Sequence, residues 1–201
     1  MAFRPRFANP KPGNVVIAPS ERNGLISVQD GMIHDWAAAT FAKGVSVDQV
    51  LRVLQNYGEY KNIYAPDVIE SRLIKREGNR WHAFLRIVKK KPLTVVLNSE
   101  YDVEYRPLDS GRWAVISRST RIAEVDGETE LSPDAGRGFL WRLNAYWLVE
   151  PRPNGVYLEC RTLSLTRDIP AGFGWMLRPI TSSFPRESLE STLLATIRAV
   201  H

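Results

Sequence analysis

Side chains able to carry acid–base, nucleophilic or metal chemistry are few in this 201-residue chain, and they are scattered. They are His34 beside Asp35, His82, His201 at the end, and a single cysteine, Cys160. His34-Asp35 is the most enzyme-like pair, but neighbours on a strand project to opposite faces, so a solvent-facing or strand-end role is expected rather than catalysis. His82 alternates with Trp81 and is expected to face outward. Three separated histidines and one cysteine match no metal-ligand spacing, so neither a metal nor a cofactor is expected. No GxSxG, P-loop or GxGxxG string occurs. Gly172-Phe173-Gly174 reads as a loop entering a helix, not as a phosphate cradle. No catalytic residue is assigned.

Composition narrows the classes without naming one. A chain of this length with 44% hydrophobic and 24% charged residues is expected to be one globular domain with a sizeable core. No apolar run approaches the ~20 residues of a membrane span. The opening MAFRPRFANPKPGNVVIAPS holds no apolar h-region, so the chain as given is expected to be cytoplasmic, or exported if a leader has been removed. The net charge of +5 is a mild bias towards anionic partners such as a lipid surface, and not a nucleic-acid signature. Residues 1–22 hold Pro5, Pro10, Pro12 and Pro19 with Arg4, Arg6 and Lys11, and are expected to form a flexible or strapping arm. The sharper alternative is a basic arm that touches an anionic membrane transiently. Oligomeric state is open.

The elements that must position any site follow from periodicity. Leu25–Val28 and Met32–Ala42 are expected strands around Asp30-Gly31. Ser46-Val47-Asp48-Gln49 has the form of a capping box and opens a short amphipathic helix carrying Val47, Val50, Leu51 and Leu54. The aromatic stretch from Tyr57 to Tyr64 suggests a second short helix or an irregular aromatic segment, ended by Pro66. From Val68 the period becomes two, giving strands over 68–77, 80–89, 93–106, 112–125, 138–150 and 155–167. The tail repeats every three or four residues through Leu189, Leu193, Thr196, Ile197 and Val200, an amphipathic helix with one buried stripe. The fold class is α+β, a curved antiparallel sheet wrapped around a long C-terminal helix, with two short helices after the first strand.

Hairpin registers then say what lies inside. Closing the last hairpin with Glu150 opposite Gly155 pairs Val149–Val156, Trp147–Leu158, Ala145–Cys160, Leu143–Thr162 and Trp141–Ser164 on one face. The preceding hairpins pair Tyr105–Trp113, Val103–Val115, Tyr101–Ser117 and Ser99–Ser119, and before them Ile87–Leu93 through Trp81–Ser99. The expected inner face mixes large aromatics (Trp81, Tyr101, Tyr105, Trp113, Trp141, Trp147) with small positions: Ala83, Ser99, Ser117, Ser119, Ala145, Cys160, Thr162 and Ser164. Hydroxyls at this frequency suit the lining of a cavity better than a dry core, where each unpaired one costs roughly 1–3 kcal/mol. The bland alternative is that small residues make room for the tail helix. This register aims Arg121 inward opposite Leu97, where a guanidinium would need a carboxylate, an open mouth or an anionic ligand group. The alternative is an arginine reaching solvent, or a bulge turning it outward. Phe173, Trp175 and Met176 open the tail and form either a lid or core packing. The candidate ligand-binding residues are therefore Trp81, Tyr101, Ser117, Ser119, Arg121, Trp141, Leu143 and Trp175.

The order of strand, two short helices, meander and long C-terminal helix resembles the helix-grip fold. Residues 25–200 are similar to the START-like (SRPBCC) superfamily, which includes polyketide cyclases, aromatases, the birch-pollen allergen and coenzyme Q-binding proteins. The stretches IHDWAAATF (33–41), YAPDVIESRLI (64–74), STRIAEV (119–125), FLWRLNAYW (139–147), LECRTLSLTRDIP (158–170) and FPRESLESTLLATIRA (184–199) resemble a bacterial branch of it. The resemblance implies one helix-grip domain over 23–201 that holds a hydrophobic or amphiphilic small molecule, a lipid, isoprenoid or polyketide, between sheet and helix. The alternatives are a cyclase- or aromatase-like enzyme and a structural protein whose cavity is filled by its own side chains. The superfamily shares no catalytic motif to carry over.

Overall fold

Alternation in the second half of the chain becomes a single antiparallel meander. The computed structural model describes residues 3–20, 23–90, 94–133, 140–167 and 184–201. The strands are β1 (Val16–Pro19), β2 (Leu25–Val28), β3 (Gly31–Lys43), β4 (Val68–Glu77), β5 (Arg80–Lys89), β6 (Val95–Pro107), β7 (Trp113–Asp126), β8 (Thr129–Glu130), β9 (Arg142–Arg152) and β10 (Gly155–Arg167). The α-helices among the described residues are α1 (Val47–Gln55), α2 (Tyr60–Ile63) and α3 (Phe184–Val200), with a 3-10 turn at Tyr57–Glu59. The sheet runs β1-β3-β10-β9-β7-β6-β5-β4, with β2 also paired to β3 and β8 to β7. The helix-grip expectation holds: α3 packs on β3, β10, α1 and α2.

Local signals account for the helices. Ser46 Oγ accepts from the Gln49 N–H at 3.3 Å while Gln49 Oε1 accepts from the Ser46 N–H at 2.9 Å, so the capping box forms as read. Helix α1 buries Val50, Leu51 and Leu54. In α3, Leu189, Leu193 and Thr196 are buried and Ile197 and Val200 half-buried, the stripe its spacing requires. The expected opening of the tail, Phe173, Trp175 and Met176, lies outside the described residues.

Each expected hairpin is present, but slid by two or four residues over most of its length. Gly155 pairs with Arg152, not Glu150, because Pro153-Asn154 closes the turn in two residues, with Asn154 at φ 65. Tyr101 pairs with Ser119, not Ser117, and Trp81 with Val103, not Ser99. A slip of two or four returns every side chain to its own face, so the inner set survives these errors except beyond Ser119 on β7, where the register steps again and Ser99 meets Ile122. A glycine is needed at 155 for another reason: a Cβ there would sit 2.2 Å from the Ala42 carbonyl oxygen on β3.

The arm also has a defined course. Residues 16–19 pair with β3, and Pro12 bridges to Phe41. The Arg6 N–H donates to Glu159 at 2.9 Å. Phe3 and Phe7 pack with Leu148, Tyr157 and Ala39 in a second small core on the outer face of β3, β9 and β10. Cover on both faces explains the run Ala37-Ala38-Ala39, buried throughout.

Candidate functional site

Between the sheet and α3 lies a cavity of about 470 Å3. Strands β5 and β6 present an apolar wall of Leu85, Ile87, Val95, Leu97 and Val103. Strands β7, β9 and β10 add Ser117, Leu143, Ala145, Thr162 and Ser164, while α3 closes over them with Leu189, Thr192 and Ala195. The small inward residues of the meander thus leave volume in mid-sheet instead of being filled by the helix.

An aromatic cluster borders this space, and its polar atoms are fully used. Trp81 lies 4.9 Å from Tyr105 and 6.1 Å from Tyr57, centroid to centroid. The Tyr57 and Tyr105 hydroxyls meet at 3.2 Å, and both Tyr105 and Tyr60 donate to the Leu54 carbonyl at 2.6 Å. The Tyr64 hydroxyl meets Thr196 Oγ1 on α3 at 3.1 Å. Burial pushes the Tyr57 phenol up to about 12 and raises Tyr60, Tyr64 and Tyr105 as well, so all four stay neutral donors. Tyr57, Tyr60 and Tyr64 come from the aromatic stretch before Pro66, and Tyr105 from the inner face of β6.

The predicted site residues separate into two groups. Tyr101, Ser117 and Leu143 line the cavity. Trp81 belongs to the aromatic cluster, its indole N–H donating to the Gly78 carbonyl at 3.0 Å. Ser119 stands where β7 and β9 part company: its hydroxyl accepts from the Leu143 N–H at 3.0 Å, and its own N–H donates to Asn144 Oδ1 at 3.3 Å. Trp141 precedes β9, bonded through its backbone N–H to the Leu165 carbonyl, with Arg167 5.8 Å from its ring. Neither Ser119 nor Trp141 is among the lining residues. Trp175 lies outside the described residues.

Two expectations are corrected. Arg121 does not face inward opposite Leu97, and the alternative of a bulge turning it outward holds. An extra residue, Thr120, bulges between the Tyr101–Ser119 and Glu100–Arg121 pairs, and the odd step turns Arg121 to the outer face. There it pairs with Glu130, whose other oxygen accepts from Asn98 at 2.5 Å. The Arg121 guanidinium, with the Asn98 amide beside it, holds the Glu130 carboxyl below its ordinary value. His34 is neither solvent-facing nor at a strand end. It is buried within β3, lines the cavity, and its Nε2 meets Thr166 Oγ1 at 3.0 Å. Asp35 takes the opposite face, in an ion pair with Arg161. His82 does face outward, between Asp102 at 2.8 Å and Glu100 at 3.1 Å.

The polar inventory of the cavity is thus mostly uncharged. Lys89 and Asp67 form an ion pair at its edge, and Arg198 lies on the exposed side of α3. Burial pushes the Cys160 thiol up, which removes it as a nucleophile at neutral pH. The Tyr101 hydroxyl is buried and has no hydrogen-bond partner among the described residues. Burial raises this phenol to about 12, slightly opposed by the nearby Ser99 hydroxyl, which itself donates to the Leu85 carbonyl at 2.9 Å.

No family model and no curated protein matches the sequence. Solved structures do. The chain is similar to a STAR-related lipid transfer protein from Xanthomonas axonopodis at 17% identity and a TM-score of 0.52, covering 85% of this chain and 98% of that one. It is similar to the lipid transfer and protein localization domain of human StarD13 at 11% identity and 0.57, covering 94% and 89%. It also resembles the Zhui aromatase/cyclase from Streptomyces at 16% and 0.50, covering 84% and 91%. Likeness at this level of identity establishes the fold.

Proposed function

Proceeding from the START-like helix-grip fold, we propose that this protein binds an apolar or amphiphilic small molecule in the cavity between its sheet and α3. The observation that carries the reading is the cavity itself, about 470 Å3 bounded mainly by aliphatic side chains. A space of this size suits a small-molecule ligand. The solved structures that share the fold include lipid transfer proteins, and the same reading applied here makes the ligand a lipid, an isoprenoid or a similar hydrophobic body.

A fluorescent fatty acid, titrated against the wild type and Ser117→Phe, tests it. Ser117 sits in the wall between Val103 and Ala145, so a phenyl ring there projects into the cavity. Saturable binding by the wild type, abolished in the variant, is expected. The stability cost of the added ring is about 1–3 kcal/mol, so the variant should stay folded. Failure of the wild type to bind either the fatty acid or a polyaromatic dye would sink the proposal.

His34 favours a second reading, a cyclase- or aromatase-like reaction on a bound substrate. Among the described lining residues, this imidazole is the one side chain of a type that ordinarily titrates near neutrality. Conversion of a bound poly-carbonyl substrate by the wild type, lost in His34→Gln with binding retained, would establish it; unchanged turnover in that variant would remove it.

A further inference from the structure

The hydroxyls of the cavity wall divide by whether the protein itself uses them. Thr166 and Thr192 are bonded, to His34 and to the Ser188 carbonyl. Ser117, Thr162 and Ser164 also line the cavity, and none of their hydroxyls has a protein hydrogen bond among the described residues. Ser164 is only 8% exposed, so the residue sits deep in the wall with its hydroxyl open to the cavity. The three are neighbours in the sheet. Ala145 pairs with Ser117 on one side and Thr162 on the other, and Ser164 follows two residues along β10, between Leu143 and His34. Strand spacing sets Thr162 and Ser164 about 6.6 Å apart along β10, and Ser117 and Thr162 about 9.5 Å apart across the small Ala145.

We infer that Ser117, Thr162 and Ser164 form a track that reads uncharged oxygen functions, hydroxyl or carbonyl, along one edge of the ligand. This rests on the binding reading above and narrows its ligand class. A purely hydrocarbon body would strand three hydroxyls in a dry wall, where each carries a desolvation cost. An oxygenated edge satisfies them while its opposite edge meets Leu85, Ile87, Leu97 and Val103 on β5 and β6. Charge is the wrong currency for the track. The ionic groups on the cavity's border are Asp67 just before β4, Lys89 at the end of β5 and Arg198 on the exposed side of α3, and the expected inner cation, Arg121, is on the outer face. Tyr101, buried and unpartnered on the same concave face, adds a further donor without a protein acceptor.

The test uses two probes on one fused three-ring frame, anthracene and 9,10-anthraquinone, competing against the fluorescent fatty acid. The wild type should prefer the anthraquinone by about tenfold, since a polar site left unpaired penalises the bare analogue. Thr162→Val with Ser164→Ala should erase that preference while leaving anthracene binding equal or tighter. The ligand-free double variant should unfold at the wild-type midpoint, because these hydroxyls hold nothing in the protein. A wild type without preference, or a double variant that keeps it, overturns the track and leaves the cavity's binding role standing. A clear drop in the midpoint also overturns it, by giving the hydroxyls a structural duty. A wild type that binds neither the fatty acid nor a polyaromatic dye removes both readings together.

Discussion

Two hydroxyl-rich regions face one another across the same interior, and only one of them is internally satisfied. Around Tyr57, Tyr60, Tyr64 and Tyr105, each phenol meets another side chain or the Leu54 carbonyl, and the rings pack tilted or edge-on with centroids 4.6–4.9 Å apart at Tyr57–Tyr60, Tyr60–Tyr64 and Trp81–Tyr105. At mid-sheet, Ser117, Thr162 and Ser164 have no such partner and border open volume. Polar groups in the first region complete a core. In the second they are left for something else. The difference teaches that hydroxyl content alone does not mark a binding wall; the accounting of donors and acceptors does.

Breaking the packed side should have the largest effect. Leu193 is fully buried on α3 beneath the sheet, so Leu193→Ala should lower stability by about 2–5 kcal/mol in denaturant unfolding, with Glu190→Ala near zero as the control. Next comes the tyrosine cluster. Tyr105→Phe leaves the Tyr57 hydroxyl and the Leu54 carbonyl each one bond short, which should cost about 1–3 kcal/mol. The same deletion of oxygen at Thr162→Val should shift stability by less than ~0.5 kcal/mol, and a loss as large as that of Tyr105→Phe would erase the contrast between the two regions.

The smallest effect belongs to the outer face. Partial burial lowers the His82 pKa, but the bonds to Asp102 and Glu100 outweigh it, and the net shift is upward. A raised folded value means the stabilisation is complete below the ordinary histidine pKa of about 6.5 and fades as pH climbs through the folded value. The residue is partly solvated, so the amplitude should stay below ~1 kcal/mol. Unfolding midpoints measured upward from pH 6 should fall slightly in the wild type and stay flat in His82→Gln. A wild-type midpoint that rises over this range would show that the two carboxylates do not govern His82.

Much of the architecture was legible because it depends on properties of a single segment. Strand alternation assigns Tyr101, Ser117, Leu143, Ala145, Thr162 and Ser164 to one face whatever the pairing partner, so registers wrong by two or four still placed them together. The Ser46/Gln49 cap and the Leu189–Leu193–Thr196 stripe are equally local. What required the folded chain were relations between segments. The bulge at Thr120 is a mismatch between two hydrogen-bond ladders, and nothing in STRIAEV alone reveals that Arg121 must turn outward to Glu130. His34 is buried because β10 pairs along β3 and α3 packs over it, contacts made by residues more than 100 positions away. Sequence by itself determined which side chains share a face, since that follows from the geometry of one extended backbone. Only the tertiary structure decided which of their polar atoms find partners, since a hydrogen bond across the core depends on where two distant segments come to rest.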